Sequence, residues 1–354
     1  MTPELGLIEG FFGRPWSWAQ RADAVRFLGP HGYHFYLYAP KADARLRRRW
    51  QEPYPDAELA ELAAFREVCR AGKVRFGIGL SPFELHLDPE RGWRDMLAAK
   101  LAELAQLKPD DLAILFDDMR GDVPDLAERQ AAIVHFAAER GIADRILCCP
   151  SYYSDDPILD VAFGPRPPFY LERLGRMLDP AIRVFWTGAE VCAGEFSPGH
   201  LARVAEQLQR KPTLWDNYPV NDGARMSQHL HLRAFTGRPA AIAGRIAAHG
   251  VNPASQPLLS RVPLLTLVES YREGDAYDYG AAFTRAARAV LGDILGERVG
   301  RDLLALQDRG LDRLGERRAA LRTRYAAFDH PAAREIVAWL DGHWNVTDEL
   351  VRAQ

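Results

Sequence analysis

Along the chain, short runs of aliphatic, aromatic and β-branched residues alternate with longer segments in which apolar positions recur at helical spacing. The runs LGLIEG (5–10), YHFYLYAP (33–40), VRFGIGLSP (74–82), LAILFDD (112–118), RILCCPS (145–151), IRVFWTG (182–188), PTLWDN (212–217) and AAHGVNP (247–253) predict eight strands. Between them the spacing predicts helices over 17–28, 56–71, 91–106, 124–140, 169–177, 198–210 and 257–272, with a poorly defined one over 224–246. A strand followed by a helix, repeated to this count and length, fits a (β/α)8 TIM barrel. An open doubly wound sheet is the competing arrangement. Neither GxGxxG nor a phosphate-binding GxxxxGK motif follows the first strand, which counts against it.

Near residue 275 strand signals stop and a continuous helical period takes over. The expected fold class is therefore α/β, a barrel over 1–274 followed by a small C-terminal helical domain over 275–354 that packs on the barrel or pairs with a second copy of the chain. No repeat, low-complexity tract or Gly/Ser linker separates the two parts.

Composition narrows the function. The chain has 354 residues, and a formal net charge of −3 supplies no basic field for nucleic acid. No polybasic stretch follows an apolar helix. The opening MTPELGLIEGFFG has neither a cationic leader nor a long apolar run, so a cytoplasmic location without a membrane partner is expected. Cys69, Cys148, Cys149 and Cys192 lack metal-ligand spacing and are expected as buried thiols.

Barrel chemistry lies at the C-terminal ends of strands. Here those ends carry Glu9-Gly10, Lys41, Ser81-Pro82, Asp117-Asp118, Ser151-Tyr152-Tyr153, Trp186, Trp215-Asp216-Asn217 and Asn252. Aromatic faces beside amides and carboxylates suit a carbohydrate, whose C–H faces stack while its hydroxyls hydrogen-bond. A phosphate site would want Gly-rich backbone and Arg; a metal site would want clustered His and carboxylates. The His229-Leu230-His231 triplet lies where no strand is predicted and is expected as a surface or core pair, so no metal and no cofactor is expected.

Two adjacent aspartates at one strand exit are unusual. Asp110-Asp111 precedes its strand, as a turn or cap, and Asp155-Asp156 reads as a solvated loop. Asp117-Asp118 alone sits at an exit. Close carboxylates raise at least one pKa, giving one protonated acid and one anion near neutrality, the division of labour glycoside cleavage requires. The plain structural alternative is a helix cap and a salt bridge to Arg120 or Arg14.

The segments LIEGFFGRPW, YLYAPKAD, ILFDDM, CPSYY, FWTGAEV and LWDNYPVND, in this order, resemble the catalytic domain of glycoside hydrolase family 84, the retaining β-N-acetylglucosaminidases that include the O-GlcNAcases. The resemblance covers roughly residues 4–272. It implies substrate-assisted catalysis: the sugar's own acetamido oxygen attacks the anomeric carbon to form an oxazoline, which water opens with retention. On the matching positions, Asp117 would orient the acetamido N–H and stabilise the oxazolinium, and Asp118 would be the general acid and then base. Gly10 would let its backbone approach the sugar, and Lys41 would donate to a ring hydroxyl. Tyr153 would donate to the acetamide oxygen. Trp215 would floor the N-acetyl group, Asn217 would bond the acetamide or leaving-group side, Asp222 the 4- and 6-hydroxyls, and Asn252 a further hydroxyl. The implied partner is a GlcNAc-bearing protein or glycan, with a homodimer through the C-terminal helices as a possible assembly.

Each position has a bland counterpart: a solvated loop lysine, a core tryptophan, a rim tyrosine, and Asn217 and Asp222 capping turns around Pro219 and Gly223. Tyr152, Trp186 and Trp16 are assigned to packing. Phe12 stands where the family usually has Tyr, near the first strand, Phe83 follows Ser81-Pro82 in place of Gly, on the rim, and Ala189-Glu190 replaces a common Pro; together these departures leave the aglycone, and so the natural substrate, open. Two other readings keep the barrel: a hydrolase of different specificity, metal-assisted through the aspartate pair, and a non-catalytic GlcNAc-binding barrel.

Overall fold

The computed structural model describes residues 2–87 and 92–354; the expected start of the third helix at 91 and of the barrel at 1 lie outside these. Eight strands are present: β1 (Leu5–Glu9), β2 (Tyr33–Tyr38), β3 (Arg75–Leu80), β4 (Asp111–Leu115), β5 (Arg145–Cys149), β6 (Arg183–Trp186), β7 (Thr213–Asp216) and β8 (Ala248–Val251). They close into a barrel in chain order, every neighbour parallel and β1 pairing with both β2 and β8. Most end before the apolar run does, because the following residues leave the ladder to build the rim. The strands are buried almost throughout, as a parallel barrel covered on both faces demands.

The outer layer contains α1 (Trp18–Leu28), α2 (Asp56–Ala71), α3 (Trp93–Ala105), α4 (Leu126–Ala138), α5 (Ile158–Phe163), α6 (Tyr170–Met177), α7 (Pro198–Leu208), the one-turn α8 (Gly223–Met226) and α9 (Arg261–Glu273). Helix α1 opens on a reciprocal Ser17/Gln20 cap, and α7 on Ser17's counterpart Ser197 with Pro198 in the first turn. The poorly defined helix expected over 224–246 is corrected: the stretch holds only α8 and a 3-10 turn at Ala240–Arg245, in place of a regular crossover helix. The short α5 has too few residues for its period to be legible beforehand.

Two aspartate pairs differ from expectation. Asp111 opens β4 as a buried residue facing Arg75 and Arg145 at the barrel's lower end, while Asp110 accepts from the Phe76 amide. Asp156 is anchored to the amides of Ile158 and Val191, and Asp155 to Arg203. That loop is tied down where solvation was expected.

Beyond α9 follow α10 (Tyr279–Leu291), α11 (Asp293–Leu303), α12 (Arg317–Ala326), α13 (Pro331–Leu340) and α14 (Asp348–Ala353). Their apolar faces form a second core that also takes in Leu230, Leu232, Leu259, Val262 and Leu265 of the barrel. Glu335 on α13 accepts from the amides of Leu258 and Leu259 just before α9. The tail then returns to the catalytic rim, where Gln354 exchanges two hydrogen bonds with the Gly13 backbone and its carbonyl accepts from Arg47. Among the described residues no helix is long and apolar enough to cross a membrane.

Candidate active site

All nine residues singled out in the sequence line one recess at the C-terminal end of the barrel: Gly10, Lys41, Asp117, Asp118, Tyr153, Trp215, Asn217, Asp222 and Asn252. Its empty volume is about 530 Å³, open solvent at the mouth included.

The floor is fixed from below. Asp216, at the end of β7, takes two bonds from Arg238 (2.6 and 2.8 Å) and one from His249 (3.0 Å), whose other ring nitrogen meets Tyr271. Burial raises the carboxyl's proton affinity, but Arg238 and His249 outweigh it and hold Asp216 below the usual range. A buried charge so satisfied locks β7 to β8 and thereby aims Trp215 and Asn217. Under β1, Glu9 is bound by both arms of Arg21 and by Tyr36, so it serves structure and not the pocket.

Trp215 is both pocket floor and core, packed edge-on against Phe185. A Cβ on Gly10 would lie 2.2 Å from its ring, so glycine is required there by the indole, a tighter reason than approach to a sugar. The amides form a chain: Gly10 N–H donates to Asn252, Asn252 to Asn217, and Asn217 to the Val191 carbonyl. Asp222 precedes α8 without capping it and instead accepts from the Phe12 amide at 2.8 Å. Burial pushes its pKa up to about 6, against that amide and with the Asp118 charge adding to the rise.

Adjacent residues of an extended strand point to opposite faces. Asp117 and Asp118 instead converge because the chain turns sharply after β4, with Asp118 in the left-handed region (φ 57°) that aspartate tolerates better than most residues. Lys41, itself buried, sits between them: Nζ donates to Asp117 Oδ2 and lies 2.8 Å from Asp118 Oδ2. Tyr153 donates to Asp118 Oδ1 at 2.9 Å, and Arg47 reaches the Asp118 carbonyl.

This corrects the electrostatic expectation. Burial does raise Asp118, but Lys41, Arg47 and the Tyr153 hydroxyl together hold it below the usual carboxylate range. Lys41 is correspondingly held above its ordinary value, its desolvation being outweighed by both aspartates. Neither Arg120 nor Arg14 pairs with the aspartates; Arg120 binds Asp122. Burial, then the two aspartate charges, raise the Tyr153 phenol well above its ordinary value, so it remains a donor. Asp117 Oδ1 is buried with no hydrogen-bond partner among the described residues, as is Arg47 Nη1.

Sequence reading missed several wall residues, namely Cys149, Thr187, Val191, Cys192 and Val220. Their types carry no chemical signal, and only closure of the barrel brings them here. Cys192 is exposed at the mouth, contrary to the expected buried thiol, whereas Cys69, Cys148 and Cys149 are buried. Arg47, in the run RLRRRW, had a signal in its charge; its guanidinium lies against Phe83 and Phe12. His229 and His231 bond to backbone carbonyls, and among the described residues no cluster could hold a metal.

A family model described as β-N-acetylglucosaminidase matches residues 5–307. Mouse and rat protein O-GlcNAcase are each 28% identical over 278 residues, covering 75% of this chain but 30% of theirs. The matched stretch thus spans under a third of those curated relatives. A solved mutant O-GlcNAc hydrolase of Thermobaculum terrenum has a similar fold, with a TM-score of 0.80 at 27% identity over 97% of this chain and 81% of that one.

Proposed function

The chain belongs to the β-N-acetylglucosaminidase family, glycoside hydrolase family 84, and from that premise we propose that it removes terminal β-linked GlcNAc with retention, by substrate-assisted catalysis. The observation that carries this reading is Asp117 Oδ1, a buried acceptor without a partner beside a second carboxylate. A buried acceptor left unmade is costly, and an acetamido N–H is the donor this chemistry would bring.

With that N–H held by Asp117, the acetamide oxygen attacks the anomeric carbon as the bond to the leaving oxygen breaks. Asp118 gives its proton to that oxygen, and Asp117 stabilises the oxazolinium. In the second half Asp118 takes a proton from water, which attacks the same carbon and reopens the ring. An intramolecular nucleophile has a high effective molarity, so no enzyme nucleophile is needed. Trp215 and Asn252 hold the sugar, and the names of the relatives support an O-GlcNAc-bearing protein or glycan as substrate. The metal-assisted reading is disfavoured because the Lys41 ammonium occupies the position between the two carboxylates.

Hydrolysis of an aryl β-N-acetylglucosaminide beside the matching aryl β-glucoside tests the reading. Only the first should be cleaved. Cleavage of both would remove substrate assistance, and cleavage of neither would leave a GlcNAc-binding barrel.

Asp222 must be ionised to accept from two hydroxyls, and its pKa is raised to about 6. The kcat/KM profile should therefore fall as pH drops through about 6, two units above an ordinary aspartate, and Asp222→Asn should lose that limb along with most binding. The same shift opposes folding as pH rises: the proton is bound more tightly in the native chain, so stability it contributes at low pH is lost between the unfolded value of 3.8 and about 6. A limb unchanged in Asp222→Asn would reassign it.

The reading divides the chain into a catalytic barrel, 1–274, and a helical tail, 275–354, acting in the cytoplasm. A homodimer through the tail belongs to it, since Ile294 and Leu304 on the outer helices are exposed apolar residues that a second copy would cover. Light scattering after size exclusion should give twice the chain mass; a monomer at micromolar concentration ends that part.

A further inference from the structure

Lys41 is placed differently from a lysine that only reads a hydroxyl. It is 4% exposed, it bridges both carboxylates, and its position against the Phe12 ring leaves it little alternative solvation. The groups facing Asp118 are Lys41 from the end of β2, Arg47 from the following loop, Asp117 beside it, Tyr153 from the end of β5 and Asp222 from the β7–β8 connection. Two are anions, two are cations and one is a neutral donor.

A general acid must carry its proton when the leaving oxygen departs. A proton on Asp118 and an ammonium within 2.8 Å of the same carboxylate compete for one site. Removing the cation would leave Asp118 beside Asp117 and facing Asp222, with only Arg47 and the Tyr153 hydroxyl to offset them. We propose that Lys41 is the positioning residue that sets the protonation of Asp118: a sugar hydroxyl that draws Nζ off the aspartate pair is what converts Asp118 from a salt-bridged anion into a protonated, neutral general acid. The inference rests on the glycosidase reading for the hydroxyl but on the geometry alone for the ion pair. Lys41 thus couples occupation of the sugar site to readiness of the acid; giving the proton to the leaving oxygen itself leaves the anion that the base step uses, and Nζ returns to the aspartate pair when the sugar departs. The proton comes from water, and no further reactant is needed.

The test is a carboxyl titration by 13C NMR of protein labelled at aspartate, with the Asp118 resonance identified by its loss in Asp118→Asn. In the wild-type protein alone the Asp118 midpoint should be low. Saturating GlcNAc should raise it by about 1–3 pH units, the size of an opposite charge removed at this range. In Lys41→Met the midpoint should already be raised without sugar, and GlcNAc should move it little. An Asp118 midpoint equal in wild type and Lys41→Met overturns the proposal, as does one that GlcNAc binds without moving. If Lys41→Met does not fold, the wild-type titration with and without GlcNAc decides alone. Failure of GlcNAc to perturb any pocket resonance would sink the glycosidase reading and the coupling with it, while the Lys41→Met comparison would still report whether the ion pair governs Asp118.

Discussion

Asp118→Asn is expected to lower kcat/KM by about 10²–10⁴ for a substrate with a poor leaving group, such as an alkyl or peptide hydroxyl, because an amide has no proton to give. The loss should shrink sharply for a dinitrophenyl glycoside, whose oxygen departs without help. A series of aryl N-acetylglucosaminides read by steady-state kinetics would show the slope against leaving-group pKa steepening in the variant. With the best leaving groups, opening of the oxazoline should become limiting, since the base is missing too. The fold should survive: the asparagine oxygen can still accept from Tyr153, and Lys41 keeps Asp117. A loss of equal size across the whole series would mean that Asp118 does not serve the leaving oxygen.

Asp117→Asn should fail in the opposite pattern. Its carboxylate is buried, with Oδ2 on Lys41 and Oδ1 without a partner among the described residues, and on the proposed mechanism it faces the acetamide where positive charge grows in both transition states. Removing one preorganised electrostatic partner of a transition state costs about 10²–10³ in kcat. Here that cost should be nearly independent of leaving group, because the nucleophile and not the departing oxygen is affected. An inhibitor that mimics the oxazoline should lose affinity in step with kcat, whereas free GlcNAc, which carries no such charge, should lose less. Equal losses for both ligands would reduce Asp117 to a ground-state contact. The two aspartates are adjacent in sequence and share Lys41, so their effects should not add in the double variant.

Much of this site was legible beforehand, and the reason is the barrel itself. In a parallel barrel every strand delivers its last residues to one face, so reading the ends of the eight apolar runs amounts to reading the rim. Gly10, Lys41, Asp117, Asp118, Tyr153, Trp215, Asn217, Asp222 and Asn252 come together in this way although up to 242 positions separate them. Two of the bland alternatives fail at specific atoms. Lys41 is buried and paired, and Asp222 caps nothing but holds the Phe12 amide. The stretch 224–246, expected as a poorly defined helix, is not a regular one, since Arg238 is spent on Asp216 and two backbone carbonyls of the 193–194 loop in place of forming an amphipathic face.

What the sequence by itself determined is the order and type of elements and the set of side chains that reach the catalytic face, because apolar period and strand exit are local properties of the chain. Which charges meet there was decided only by the tertiary structure. The pairing of Lys41 with Asp117 and Asp118, the reach of Arg47 to the same turn, the burial of Asp222 and the return of the C-terminal Gln354 to Gly13 all join segments distant in sequence. A pair of aspartates read alone predicts repulsion and a shared proton. A lysine set between them by barrel closure reverses the sign, since Coulomb energy depends on separations of a few ångströms that no local pattern encodes.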